Sequence, residues 1–100
     1  MILEDMMVYL ECLMLNEINL DFLQVDYQQG FIYIFIVSHK FKTMPISERI
    51  EHVFSIIKYD CPEILTQYPI AIEAFDDSEF SERLKIEKEK RAKRIAPRKK

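Results

Sequence analysis

Glycine is almost absent from this chain of 100 residues, in which Gly30 is the only one. Loops that hold the phosphates of nucleotides or dinucleotides need several glycines, because their backbone must approach the phosphate closely. The sequence therefore excludes both kinds of Gly-rich phosphate loop, and with them the enzymes that depend on those loops.

Cysteine is also scarce. Cys12 and Cys61 form no C-x-x-C pair and no disulfide framework. Cys12 lies in an apolar helical pattern, so we expect a buried and inert thiol there. Cys61 precedes Pro62 at a predicted helix start, where the helix dipole favours a thiolate and lowers the thiol pKa. This position suits a redox-sensitive thiol or a replacement cluster ligand, but it fits an ordinary capping or half-buried cysteine better.

Long apolar runs are missing as well. The apolar residues 1–15 are interrupted by Glu4, Asp5 and Glu11 and contain no basic residue. A signal peptide has a basic first segment, and a membrane span needs about 20 predominantly apolar residues. The sequence therefore predicts neither, and it favours a cytoplasmic protein with no membrane partner.

Charge is divided unevenly along the chain. Residues 1–82 carry four basic and fifteen acidic side chains, whereas residues 83–100 carry ten basic and two acidic ones. The basic segment suits a solvated helix in which Glu87 and Glu89 pair with Arg91 and Lys93. It also suits binding to nucleic-acid phosphates, or docking onto an acidic protein. It contains no aromatic residue that could stack on bases.

The apolar periodicity predicts seven secondary-structure elements. They are helix 2–15, strand 20–27, strand 31–38, a helix capped by Ser47, a short helix capped by Asp60 or Cys61, strand 70–75, and a helix that ends before Pro97. Gly30 is expected at positive φ in a tight hairpin turn. Asp76 and Glu79 form a capping box at the start of the last helix. The strand 31–38 has no polar face, which predicts a central or doubly covered position.

The order α-β-β-α-α-β-α predicts an α+β fold with a three-stranded mixed sheet backed by helices. A hairpin makes the first two strands antiparallel, and a helical crossover makes the second and third strands parallel. We expect residues 1–84 to form the domain and residues 85–100 to form a basic extension, helical at first and then frayed.

Two segments resemble the BolA-like protein family. They are FIVSHKFKTMPISERIEHVFSII, residues 35–57, and YPIAIEAFDDSEF, residues 68–80. The positions that match the family pattern are Val37, Ser38, Phe41, Arg49, Ile70, Ile72, Phe75, Glu79 and Phe80. The resemblance covers roughly residues 31 to 82, and it implies a relative of the KH-type fold that lacks the Gly-rich RNA-clamping loop.

The resemblance implies a noncatalytic adaptor. BolA-like proteins partner monothiol glutaredoxins, share a [2Fe–2S] cluster with them in iron homeostasis, and include transcriptional regulators. The family places its principal ligand, a histidine, where this chain has Tyr68, and the shortened first hairpin offers no second ligand. A neutral phenol with a pKa near 10 is a poor ligand for such a cluster. We therefore expect this chain not to bind a cluster unless His39 or Cys61 replaces the missing ligand. His39 fits an ordinary solvent-facing turn better than a metal site, because nothing at helical or strand spacing provides it with a second ligand.

Two hypotheses for function follow. In the first, a glutaredoxin binds a surface that includes the turn 38–42 and the region around Tyr68. In the second, the chain binds nucleic acid. The residues proposed for that role are Lys40, Lys42 and Arg49 in the body, and Lys90, Arg91, Lys93 and Arg94 in the basic segment. The carboxylate pairs fit helix starts and surface charge better than catalysis, so no enzyme is expected.

Overall fold

The computed structural model describes residues 2–95, with side chains through Lys90. Its elements are α1 (Leu3–Glu17), β1 (Phe22–Gln28), β2 (Phe31–Val37), a 3-10 helix (His39–Thr43), α2 (Ile46–Asp60), α3 (Glu63–Gln67), β3 (Ile70–Phe75) and α4 (Asp77–Ile95). The predicted order of helices and strands is confirmed. The 3-10 helix was not predicted, because a five-residue turn leaves no periodic signal.

The three strands form one mixed sheet with the order β1-β2-β3. β1 and β2 pair antiparallel from Phe22 opposite Val37 to Gln28 opposite Phe31. β2 and β3 pair parallel from Ile32 beside Ile70 onward. The predicted α+β class, the mixed sheet and the central place of β2 are therefore confirmed.

The β1–β2 hairpin turns over two residues. Gln29 has φ of 52° and Gly30 has φ of 88°. Positive φ at both central positions matches the right-handed twist of the strands. The expected role of Gly30 is confirmed, and Gln29 takes the same left-handed conformation despite its side chain.

One face of the sheet carries the hydrophobic core, and we call it the inner face. Ile32, Ile34 and Ile36 of β2 are fully buried there. α1 covers them with Met6, Leu10, Leu13 and Met14, and α2 adds Val53 and Ile57. Because strand side chains alternate, the remaining residues of β2 point to the opposite, outer face.

Two local predictions on the helices are wrong. Cys12 is exposed, because α1 turns Leu10, Leu13 and Met14 to the core and Cys12 lies on the other side. Ser47 does not cap α2, which begins at Ile46 with no side-chain cap. The Pro45 carbonyl instead accepts hydrogen bonds from the backbone N–H groups of Glu48 and Arg49, which places Ser47 inside the first turn.

The predicted caps of the short helix are also wrong. α3 follows Pro62, and no side chain caps it. The carbonyl of Cys61, rather than its thiol, accepts the hydrogen bond of the Ile64 N–H group. Proline suits this position because its missing donor has no partner in a first turn.

The predicted capping box of α4 is confirmed. The Asp76 carboxylate accepts from the Glu79 N–H group at 2.8 Å, and the Glu79 carboxylate accepts from the Asp76 N–H group at 2.9 Å. All side chains from Ser81 to Lys90 are exposed. The proposed boundary at Leu84 falls inside α4, and the division into domain and extension stays a prediction.

A search of residues 2–95 finds no helix with the length and apolar character needed to cross a membrane.

Candidate binding surfaces

Arg49 is buried, with 4% of its surface exposed, although the sequence suggested a ligand-binding side chain. Its guanidinium donates to the carbonyls of Met44 at 2.8 Å and Ala74 at 3.2 Å, and to Glu79 Oε1 at 2.6 Å. It also lies 5.8 Å from the centre of the Phe41 ring. Arg49 therefore ties α2 to β3 and α4, with four of its five N–H donors in hydrogen bonds inside the fold. A role of this buried side chain in binding a partner stays a prediction.

Ser38 and Phe41 lie at the same end of the sheet. The Ser38 hydroxyl donates to the Asn19 carbonyl and accepts from the Lys40 N–H group, which fixes the start of the 3-10 helix. Phe41 is 1% exposed. Together with Arg49 and Glu79 these residues form the Arg49 cluster, which joins the end of β2 to α2 and α4.

The buried charge of Arg49 has carboxylate partners. The hydrogen bond from Arg49 and the Asp76 N–H group hold the pKa of Glu79 below its usual value. Asp76 lies 3.8 Å from the guanidinium and adds a second carboxylate. A buried guanidinium flanked by two carboxylates has the charge partners that burial requires.

His39 faces Asp21 at the same end of the sheet. Its Nδ1 lies 3.1 Å from Asp21 Oδ2, and its backbone N–H donates to the same carboxylate at 2.7 Å. Both side chains are more than 40% exposed. This pair joins the start of β1 to the 3-10 helix and brings no second nitrogen or sulfur ligand to His39.

Tyr68 lies at the opposite end of the sheet. It is half-buried against the core, and its ring is nearly perpendicular to that of Tyr27, with ring centres 5.7 Å apart. The next residue, Pro69, accepts a hydrogen bond from Ile32 at the start of β2. The seven residues of β2 lie between this point and the turn 38–42, so the two places are about 20 Å apart. The predicted single partner surface therefore consists of two separate places.

Cys61 does not have the activated thiol that the sequence suggested. Its thiol donates to Glu63 Oε1 at 3.1 Å. That hydrogen bond, with burial and the negative charge of Glu63, raises the pKa of Cys61. The carboxylate of Glu63 outweighs the helix dipole, because α3 is only five residues long.

A [2Fe–2S] cluster does not fit these residues. Tyr68 offers a phenol, Cys61 a thiol whose pKa is raised by Glu63, and His39 an imidazole at the far end of the sheet. Within residues 2–95 no group of three or more His, Cys, Asp or Glu residues is placed to hold a metal ion. Cluster ligands are normally thiolates or imidazoles that converge on one point.

The lysines that the sequence singled out are dispersed. Lys40 and Lys42 are exposed, but Lys42 pairs with Asp77 at 3.3 Å and Arg49 lies buried behind them. Lys90 is exposed on α4. Arg91, Lys93 and Arg94 belong to α4, but their side chains lie outside the described residues. The body therefore lacks the predicted patch of Lys40, Lys42 and Arg49.

The outer face of the sheet carries a surface that sequence reasoning missed. Phe31, Tyr33 and Phe35 occupy alternate positions of β2 and form what we call the aromatic row. Phe31 is 46% exposed, and the other two are half-buried. The signal was present in FIYIFIV, where aromatic and aliphatic residues alternate.

α4 covers only one end of this outer face. Phe80 stacks on Phe22 with ring centres 5.3 Å apart and meets Phe35 at 5.8 Å. Arg83 lies 5.6 Å from the centre of the Phe35 ring and pairs with Glu73 at 3.2 Å. The rest of the outer face, toward Phe31, has no helix packed on it in the part of the chain that the structure describes.

Searches against protein-family models, curated proteins and solved structures find no match to this chain.

Proposed function

We propose that this protein is a noncatalytic, cytoplasmic BolA-like adaptor that binds a monothiol glutaredoxin and serves iron or iron–sulfur homeostasis. The observation that carries the proposal is the Arg49 cluster. Residues that carry the resemblance and lie far apart in the sequence, among them Ser38, Phe41, Arg49 and Glu79, gather there. They support the fold instead of forming a reactive centre.

The order of elements supports the same proposal. The resemblance implies two antiparallel strands, a helical crossover and a third strand parallel to the second, and the sheet has this topology. The adaptor role rests on protein contact alone, because the donor atoms at Tyr68, Cys61 and His39 do not fit a cluster. We place the glutaredoxin contact at the Tyr68 end of the sheet, where the family has its ligand.

Binding of a glutaredoxin is the direct test. Isothermal titration of the full chain with a purified monothiol glutaredoxin should give a one-to-one complex. After addition of glutathione, iron and sulfide, the absorption and circular dichroism spectra should remain those of the glutaredoxin alone. The absence of any complex would contradict the adaptor proposal.

A substitution at Tyr68 separates binding from cluster chemistry. Tyr68→His restores an imidazole at the ligand position, and it should give a mixed complex with a new cluster spectrum. The matched control is Tyr59→His, because Tyr59 is 93% exposed on α2 and lies outside the proposed contact. A new spectrum in the control as well would show that any added histidine suffices, which argues against the proposed contact.

A second candidate function is nucleic-acid binding, as in a transcriptional regulator. The observation that favours it is the exposure of Lys85, Lys88 and Lys90 on the part of α4 that follows Leu84. Phosphate contacts of this kind weaken steeply with salt. Affinity for DNA should fall by about tenfold or more between roughly 50 and 200 mM salt, and the double variant Lys88→Gln, Lys90→Gln should bind more weakly with a smaller salt dependence. Affinity that stays constant with salt would contradict this role.

A further inference from the structure

We infer that the outer face of the sheet is a binding site for single-stranded nucleic acid, in which bases stack on the aromatic row and the basic residues of α4 hold the phosphates. This inference rests on the second candidate function and names its ligand and its site. Such a site differs from the basic segment alone, which would contact phosphates on single and double strands alike.

The spacing of the aromatic row suits base stacking. Phe31, Tyr33 and Phe35 point to one face of the central strand, about 7 Å apart along it. α1 and α2 pack on the inner face against Ile32, Ile34 and Ile36, and they leave Phe31 exposed and Tyr33 half-buried on the outer face. Phe35, at the end that α4 covers, packs against Phe80 and Arg83. Exposed aromatic rings on an open sheet are a recurrent platform for unpaired bases, because every base has a π-face.

Two acidic residues, Glu73 and Asp26, lie beside the aromatic row on the neighbouring strands. Glu73 lies next to Phe35 on β3, but Arg83 pairs with it at 3.2 Å. Asp26 lies opposite Tyr33, and its carboxylate accepts hydrogen bonds from the Tyr27 N–H group and the Gln28 side chain. Arg83 offsets the charge of Glu73, whereas the hydrogen bonds to Asp26 come from neutral groups and add no positive charge. The other neighbours on β1 are the neutral Gln24 and Gln28.

α4 supplies positive charge from the same side of the sheet. Its first turns pack on the outer face through Phe80 and Arg83, and the helix continues with exposed Lys85, Lys88 and Lys90. A cleft of about 270 Å³ opens between the helix and the sheet. It is lined by one cation and one carboxylate, Arg83 and Glu87, and otherwise by Phe22, Gln24, Phe35, Phe80 and Leu84. Aromatic rings on the sheet and cations on the adjoining helix match the bases and the phosphates of one unpaired strand.

Duplex DNA does not fit this arrangement equally well. The bases of a duplex are stacked on each other, so a flat sheet can reach only their edges in a groove. The rings of the aromatic row gain contact area only when bases are unpaired. The inference therefore predicts discrimination between single and double strands, which the basic segment alone does not provide.

The test is fluorescence anisotropy of the full-length protein with a labelled single strand of about 12 nucleotides, as DNA and as RNA, and with the corresponding duplex. We expect the single strand to bind at least about tenfold more tightly than the duplex. Phe31→Leu and Tyr33→Leu should each weaken single-strand binding by about fivefold or more, and leave duplex binding unchanged. The salt dependence of wild-type binding should persist in both variants.

Matched controls separate stacking from folding. Leucine keeps each position apolar, and urea unfolding of both variants checks that the sheet is intact. Tyr59→Leu removes an aromatic ring that is 93% exposed on α2, away from the outer face, and it should leave all affinities unchanged.

Each alternative result has its own meaning. Equal affinity for single strand and duplex, unaffected by Phe31→Leu, would overturn the inference while keeping phosphate binding by the basic segment. Absence of any nucleic-acid binding would overturn both. Light scattering of the free protein tests the remaining alternative, in which a second copy of the chain binds the outer face. A dimer in the wild type that Phe31→Leu dissociates would support that alternative and overturn the inference.

Discussion

Arg49 Nη1 donates a hydrogen bond of 2.6 Å to Glu79 Oε1, and this contact joins the start of α2 to the first turn of α4. The same Glu79 oxygen accepts from the Asp76 N–H group. One carboxylate therefore closes the capping box and satisfies a buried guanidinium. The position of α4 on the outer face, and with it the shape of the proposed nucleic-acid site, depends on this pair.

Removal of the guanidinium should destabilise the fold. Arg49→Met leaves the carbonyls of Met44 and Ala74 without their side-chain donor, and we expect a loss of about 2–3 kcal/mol in the free energy of unfolding. The control is Arg83→Met, because Arg83 is exposed and its pair with Glu73 should contribute less than about 1 kcal/mol. Urea denaturation measures both, and equal losses would contradict the structural role of Arg49.

Stability should fall in acid through Glu79. Arg49 and the Asp76 N–H group lower the pKa of Glu79 in the folded state. A folded-state pKa below the unfolded value means that the contribution is full above the ordinary glutamate pKa of 4.5 and is lost as pH falls through the folded value. Urea titrations from about pH 6 to pH 3 should show wild type losing more stability than Glu79→Gln. Parallel loss in the two proteins would show that other groups govern the acid transition.

The hairpin turn should respond in opposite directions to two substitutions. Gly30→Ala places a Cβ at φ of 88°, where space is available but the backbone is strained, and it should cost about 1–2 kcal/mol. Gln29→Asn puts a residue that tolerates left-handed backbone at φ of 52°, and it should stabilise the fold by up to about 1 kcal/mol. Thermal unfolding of both variants checks the signs. Destabilisation by Gln29→Asn would contradict the strain assigned to this turn.

Cys61 should react slowly with alkylating agents. Its hydrogen bond to Glu63 raises its pKa, so little thiolate is present near neutral pH. In a Cys12→Ser background, iodoacetamide should modify Cys61 more slowly than a cysteine in an unfolded peptide, and Glu63→Gln should raise the rate. Mass spectrometry follows the reaction. A rate that Glu63→Gln leaves unchanged would remove Glu63 as the cause.

Much of the fold could be predicted because it depends on local signals. The spacing of Met6, Leu10 and Leu13 indicates a helix, and the box of Asp76 and Glu79 indicates the start of another. β3 was predicted with the bounds Ile70–Phe75 that the structure has. Where a second local signal competed, prediction failed: Ser47 is a good cap, but Pro45 precedes it and already starts the helix.

The candidate sites were harder to predict, because the sequence does not show whether a charged or reactive side chain faces solvent or contacts another group of the protein. Arg49 was predicted as a binding residue, and the sequence did not show that it is buried among carbonyls and carboxylates. The helix dipole was expected to lower the pKa of Cys61, but the hydrogen bond from its thiol to Glu63 raises that pKa. The aromatic row was overlooked because seven apolar residues in a row do not show which face is covered.

The sequence by itself determined the helices and strands, the pairing that short and long connections impose on them, and the excess of positive charge after residue 82. Only the tertiary structure decided that Arg49 is internal, that Tyr68 and the turn 38–42 lie at opposite ends of the sheet, and that the aromatic row faces outward. The physical reason is that local conformation follows from neighbours along the chain, whereas burial and charge pairing depend on groups that lie far apart in the sequence and meet only in the folded protein.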